Sequence, residues 1–484
     1  MPFLLKTRSY ILKLKILLAL FLGFLLLFPP QVAQALISLE EEDKIGKEVL
    51  FELTKEVEFI DDLELNLYIN AIGEELKKKG LTFSPFDFKF FLINNPSFNA
   101  FSVPGGYIFI NSGIFNSIES EDELAGIMAH EMAHNLGRHI ARRIEDIKKM
   151  QVLVTAATLA GIILGGEKAA ALSLSSMAIA QTRLLAYSRA DEEEADRTGF
   201  QILTKAGYNP WGMATVMERL SKKGNLAIEL EYRYLLTHPL PQERVAYLIS
   251  LAERYTTDRS PKNLIAEDPN YFKRLLVKAQ VFSKKKDLAS LITNLKVELS
   301  QKEDPWTRYT LALALKEQRY FKDALVELVK ALQGLPFKPY FLLDLADIYL
   351  TSGEYLQALN VLNQIPPITP SKPYETLYLT KLDYLKALAL AETGEPQKAY
   401  KLMQKFLSLS SLSYDPYFFY NLGKLASQLN KMGEAHFYFA KHYQLKGDLK
   451  PALYHYEKAL SFLPKTDKMY LEVEKAIAQI KHKK

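Results

Sequence analysis

His130, Glu131 and His134 fall in the run His-Glu-Met-Ala-His, and on an α-helix two histidines four residues apart project from one face. Imidazoles so placed can hold one zinc ion, and Glu131 lies beside them, able to take the proton of an attacking water. The residues before them, Glu121-Asp122-Glu123-Leu124-Ala125-Gly126-Ile127-Met128-Ala129, read as the helix that carries the motif, with acidic residues in its first turn. That spacing suits a metal-dependent hydrolase. With eight histidines in 484 residues, the pattern arises by chance in roughly one such chain in a hundred, so its surroundings must supply the rest.

A catalytic zinc needs a third protein ligand. Gly137 occupies the glycine position of the extended metzincin motif, which makes His139 tempting, but that motif places its last histidine at position 140, which is Ile140 here. The run Ala141-Arg142-Arg143-Ile144-Glu145 reads as the same helix continuing, with His139 on its surface or behind a ligand, so that His139→Ala is expected to keep most metal and activity. The better candidates are Glu192 and Asp196, one helical turn apart in Asp191-Glu192-Glu193-Glu194-Ala195-Asp196-Arg197, which can provide a ligand and a partner for a ligand histidine. Taken alone, that segment reads equally as an acidic solvated face.

The chain has no cysteine, so disulfides, thiolate zinc sites and cysteine nucleophiles are excluded. Its 61 basic and 56 acidic residues leave a net charge of +5, too thin an excess to point to nucleic acid as a partner. Hydrophobic residues at 48% and charged residues at 24% describe a folded, mainly soluble chain, and 484 residues suffice for several domains. Lys6, Arg8, Lys13 and Lys15 precede the apolar run 16–28, and Ala33-Gln34-Ala35 follows. This reads as a signal peptide over 1–35, cleaved or kept as an anchor, that exports the remainder.

Past the signal, residues 36–255 mix helices with an apolar, β-rich stretch from Phe86 to Phe115, whereas 269–480 are helical throughout. The polar stretch 256–268 reads as the linker. In the second half small residues recur twelve apart: Ala312 and Ala324, Ala346 and Ala358, Ala387 and Ala399, Gly423 and Ala435, Ala440 and Ala452. Successive pairs step by 34, 41, 36 and 17 residues, so the first step is the tetratricopeptide period and the last implies one helix serving two pairs. The fold class is therefore mainly α: an α+β domain that carries the His-Glu-x-x-His motif, followed by a tetratricopeptide solenoid, whose concave face is expected to bind protein segments. Its many aromatic residues, Tyr340 to Tyr420, are expected mostly to pack between repeats.

Four motifs in order, Asn99-Ala100-Phe101-Ser102-Val103-Pro104-Gly105-Gly106-Tyr107, His130-Glu131-x-x-His134, Ser188-Arg189-x-x-Glu192-x-x-Ala195-Asp196 and Thr237-His238-Pro239-x-Pro241-x-x-Arg244, resemble the exported BepA-like zinc metalloproteases. These are relatives of the HtpX and CAAX-prenyl proteases among the gluzincins, and the whole layout of the chain matches theirs. The resemblance implies one zinc per chain on His130, His134 and Glu192. It also implies Glu131 as base, Asp196 as orienting partner or proton donor, and His238 as a residue that caps the metal or steadies the oxyanion.

The implied function is a periplasmic zinc endopeptidase with chaperone-like quality control of unfolded or misassembled envelope proteins, recruited by the repeats with the envelope assembly machinery as a further partner. The alternatives are a repeat scaffold with a latent peptidase domain and a membrane-anchored processing protease. By its own chemistry His238 fits an oxyanion donor, a fourth ligand or a structural histidine. Arg244 fits a partner for a carboxylate near the site or an anchor for its loop. Val103 to Ile110 reads as an edge strand beside the zinc helix, where an extended peptide can add. Two short apolar segments, 152–164 and 169–180, read as a buried helical hairpin, with a membrane-touching element or an active-site cover as alternatives.

Overall fold

The computed structural model describes residues 37–149, 155, 159–161, 187–224, 234, 238–239, 242–409, 412 and 414–482. The signal peptide, Thr237, Pro241 and nearly all of the two apolar segments lie outside them; Leu159 and Ala160, which lie inside, are buried. No helix among the described residues is long and apolar enough to cross a membrane.

The first half opens with α1 (Leu39–Glu56) and α2 (Leu63–Gly80). Ser38 caps α1 in a box with Glu41, and Asp62 caps α2 by accepting from the Leu65 amide. The sheet has β1 (Lys89–Ile93), β2 (Ala100–Val103) and β3 (Tyr107–Asn111) in the order β1-β3-β2. β3 pairs parallel with β1, Phe91 opposite Phe109, and antiparallel with β2, Ser102 opposite Ile108.

This corrects the reading of 103–110 as one edge strand. Gly105 and Gly106, at φ 86° and 84°, turn the chain back, and the wholly buried Tyr107–Asn111 takes the centre, hydrogen-bonded on both sides. The edge beside the helix that carries the histidines is β2. The faces of the sheet divide by alternation: Ile108 and Ile110 join the core with α2, while Phe91, Phe101 and Phe109 stack on the other side under α1.

Then come α3 (Glu121–Leu136), α4 (His139–Lys149), α5 (Arg189–Ala206), α6 (Trp211–Gly224) and α7 (Gln242–Tyr255). The second half runs through α8 (Pro269–Ser283), α9 (Leu288–Gln301), α10 (Pro305–Glu317), α11 (Phe321–Gly334), α12 (Phe341–Thr351) and α13 (Tyr355–Asn363). It continues with α14 (Pro373–Glu392), α15 (Pro396–Gln404), α16 (Pro416–Gln428), α17 (Met432–Leu445), α18 (Leu449–Phe462) and α19 (Lys468–His482). Proline opens α8, α10, α14, α15 and α16, where its missing N–H costs nothing. All ten small residues of the repeat pairs are buried, and α17 carries both Ala435 and Ala440, the helix shared by two pairs. Tyr340, Phe341, Tyr378, Tyr384, Phe418 and Phe419 are buried between helices, whereas Tyr417 and Tyr420 are exposed.

The two halves are joined by buried charge. Arg274 on α8 is fully buried and grips Glu64 of α2 through Nη1 and Nη2 at 2.7 and 2.8 Å, and Asp344 of α12 through Nε at 2.6 Å. Lys278 adds contacts to Asp62 at 2.9 Å and Glu64 at 3.2 Å. Residues 256–268 are strapped down as well. The Glu121 carboxylate accepts from the Ile265 and Ala266 amides, that of Asp122 from Lys262, and the Asn209 amide donates to the Asp258 and Ser260 carbonyls. Farther along, Tyr414 packs edge-on against Phe91, and the Gly447 turn between α17 and α18 lies near Phe51 of α1, where an added Cβ would be 3.5 Å from its ring.

Candidate metal centre

α3 is capped by Ser120, whose hydroxyl accepts from the Glu123 amide, and its buried C-terminal half presents His130, Glu131 and His134. α5 crosses it closely because Gly199 has no side chain: a Cβ there would lie 3.1 Å from the His130 backbone. Ser188 caps α5 in a box with Asp191, setting Glu192 and Asp196 on the face toward α3.

His130, His134, Glu192 and His238 each bring one donor atom to a common point, all within 4.8 Å of one another. His130 Nε2 lies 3.0 Å from His134 Nε2, 3.4 Å from His238 Nδ1 and 3.4 Å from Glu192 Oε2. His134 Nε2 is 3.6 Å from Glu192 Oε1, and His238 Nδ1 is 2.9 Å from it. Ligands about 2.0–2.1 Å from a tetrahedral metal stand about 3.3 Å apart, so the spacing of this donor set fits one ion. The nitrogen and carboxylate donors are those that zinc accepts.

Glu131 stands outside the group of four, its Oε1 3.5 Å from His238 Nε2. Neither of its carboxylate oxygens has a hydrogen-bond partner of normal geometry, and burial raises its carboxyl above the usual range. Burial works against charging His130, but the carboxylates of Asp196 and Glu192 outweigh it and push the imidazole up to about 9. His134 moves the other way, down, because it is buried beside His130.

Behind the donors stand groups that hold them. His130 Nδ1 lies 3.1 Å from Asp196 Oδ1. Arg244, on α7, clasps Asp196 through Nε and Nη2 and touches Glu192 Oε2 through Nη1 at 2.7 Å. The predicted carboxylate pair is thus no solvated face: Glu192 and Asp196 are fully buried, and Arg244 is bound to both. Tyr187 stacks on His134 at 3.7 Å and Tyr234 on His238 at 4.3 Å, two contacts that no spacing in the sequence announces.

His139 stands behind a ligand candidate, one of the two places the sequence reading allowed, but not on a continuous helix. The helix does not run on. α3 ends at Leu136, Arg138 takes φ 53°, and α4 starts at His139, which is buried with Nδ1 2.8 Å from His134 Nδ1. Arg138 is pinned in that conformation by Glu42, which its Nε meets at 2.6 Å.

Residues 64–252 match the family described as Peptidase family M48, and residues 303–378 match the tetratricopeptide repeat. The chain is 28% identical over 378 residues to the beta-barrel assembly-enhancing protease of Escherichia coli (strain K12), covering 77% of this chain and 74% of that protein. It is 34% identical over 235 residues to the putative beta-barrel assembly-enhancing protease of Vibrio cholerae, 46% of each chain. It is 33% identical over 155 residues to the mitochondrial metalloendopeptidase OMA1 of Schizosaccharomyces pombe, 32% of this chain and 43% of that one. The buried His-His-Glu-His cluster lies inside the M48 match.

Proposed function

We propose that this chain, a metalloendopeptidase of the M48 kind that carries tetratricopeptide repeats and is related to the beta-barrel assembly-enhancing proteases, cleaves unfolded or misassembled envelope proteins with one zinc ion held by His130, His134 and Glu192. The observation that carries this reading is the convergence of those donors within 4.8 Å of one another, with Glu131 alongside. Bound there, zinc supplies Lewis-acid polarisation of the scissile carbonyl and a more acidic water. Glu131 takes the water's proton and passes it to the leaving amine, a task suited to a carboxyl whose affinity for protons burial has raised. Asp196, clasped by Arg244, keeps the His130 ring turned toward the donor set. His238 either donates to the developing oxyanion or caps the metal. β2, the edge strand, offers its backbone to an extended substrate, which favours unfolded clients.

Export through residues 1–35 places the chain in the periplasm under this reading, and the repeats bring in clients and the assembly machinery that the names of the bacterial relatives evoke. Wild type and Glu131→Gln are expected to bind one zinc each, with casein cleaved by the wild type alone; equal cleavage by both overturns the proposal.

The depth of the cluster favours a second reading, a latent resting state in which the chain acts as an assembly scaffold. His130, Glu131, His134, Glu192 and His238 are each at most 1% exposed. His238→Ala separates the two roles of that residue, since turnover falls if it donates to the oxyanion and rises if it caps the metal.

A further inference from the structure

We propose that His139 is a positioning residue for His134, and that Gly137 leaves the space its ring occupies. The inference rests on the reading of His134 as a ligand and replaces the expectation that His139 is dispensable.

His134 turns Nε2 toward His130 and Glu192, and Nδ1 away from them. An imidazole whose Nε2 lone pair faces a metal carries its proton on Nδ1, and a buried N–H without an acceptor is costly. The acceptor here is His139 Nδ1, at 2.8 Å. His139 must then carry its own proton on Nε2, which lies 3.3 Å from Glu194 Oε2. The tautomer of His139 is thus set by His134; its Nε2 stands near the 45% exposed Glu194 carboxylate without the angles of a hydrogen bond. His130 is backed differently, by the buried Asp196 that Arg244 holds. The two histidines of one motif therefore lean on unlike supports.

The backbone is shaped for this contact. The break at Arg138 turns the chain so that His139 comes back under His134. Gly137 has an ordinary φ of −72°, so its lack of a side chain is explained by space alone: a Cβ there would run into the His139 ring.

The test uses the full chain in the Glu131→Gln form, with zinc affinity measured by competition against a fluorescent chelator. His139→Leu is expected to weaken zinc binding about 10- to 100-fold, the usual effect of removing a ligand's partner. His139→Asn, whose amide oxygen can accept where Nδ1 did, is expected to restore most of that loss. Gly137→Ala is expected to weaken binding as His139→Leu does. The metal-free melting temperature of His139→Asn should match the parent's, a readout that separates positioning from general loss of fold. His134→Ala is the control: if it keeps full zinc affinity, the ligand reading itself fails. If His134→Ala loses zinc while Gly137→Ala and His139→Leu bind it like the parent, the positioning role is overturned. Should His139→Leu not fold, the His139→Asn and Gly137→Ala pair decides.

Discussion

Arg244 meets Asp196 side-on, Nε to Oδ2 at 2.7 Å and Nη2 to Oδ1 at 2.8 Å, while its remaining nitrogen Nη1 touches Glu192 at 2.7 Å. One guanidinium thus pairs with two buried carboxylates on successive turns of α5. Removing one partner of a buried ion pair typically costs about 3–5 kcal/mol, because the other charge is left unpaired. Arg244→Met should lower the melting temperature by several degrees and release metal. Arg244→Lys, a point charge without the planar fork, should recover little of either. Calorimetry with metal analysis reads both quantities.

The close crossing at Gly199 predicts a second failure of metal binding, at a residue that touches no donor atom. Gly199→Val must push α5 away from the His130 backbone, and Glu192 moves with it. Metal content should fall while circular dichroism at room temperature stays helical. A Gly199→Val protein with full metal would mean that the helices adjust without parting.

Acid should loosen the join between the halves. Burial alone would raise the Glu64 carboxyl, but Arg274 and Lys278 hold it at about 2, below its ordinary 4.5, and Asp62 is likewise held down against burial by Lys278. Because the folded value is depressed, this stability is present above about pH 4.5 and is lost as pH falls toward 2. Glu64→Gln should be less stable at neutral pH and show a flatter dependence over that window in denaturant titrations followed by fluorescence.

The same contacts bear on truncation. Ending the chain at Thr256 strips Glu121 of the Ile265 and Ala266 amides, Asp122 of Lys262, and Asp62 and Glu64 of Arg274 and Lys278. The shortened peptidase half is expected to melt well below the full chain or to aggregate, and differential scanning calorimetry of the two proteins checks this.

The motif, the period and the mainly helical fold were legible because each is a matter of spacing. A His-Glu-x-x-His run needs only a helix to bring its histidines together, and pairs of alanines twelve apart need only a hairpin. Spacing pointed only to a metal-dependent hydrolase; the metalloendopeptidase class came from the resemblance of four ordered motifs, and the matched relatives bear it out. What spacing does not encode is direction. The anchoring of the linker 256–268 was not legible because its partners, Glu121, Asp122 and Asn209, lie far away in sequence. The break before His139 was hidden because Arg138, with a positive φ, is held there by Glu42 from a distant helix rather than by a glycine. Val103 to Ile110 is apolar enough to read as one strand, yet the two glycines inside it turn the chain, leaving Val103 on the edge strand and Tyr107 to Ile110 in the centre.

Tyr414 packed on Phe91, and the Gly447 turn lying near Phe51, bring the repeat array back to the first elements of the fold. Stacks of repeats usually assemble by propagation between neighbours, with no need for the rest of the polypeptide. Here the order of emergence matters. A chain delivered from its N-terminus exposes Asp62 and Glu64 about two hundred residues before Arg274 and Lys278 exist to meet them, so the first half waits, uncompensated, for the second. Contacts at such separation slow folding, and the first half gains its last charge partners only when α8 has arrived.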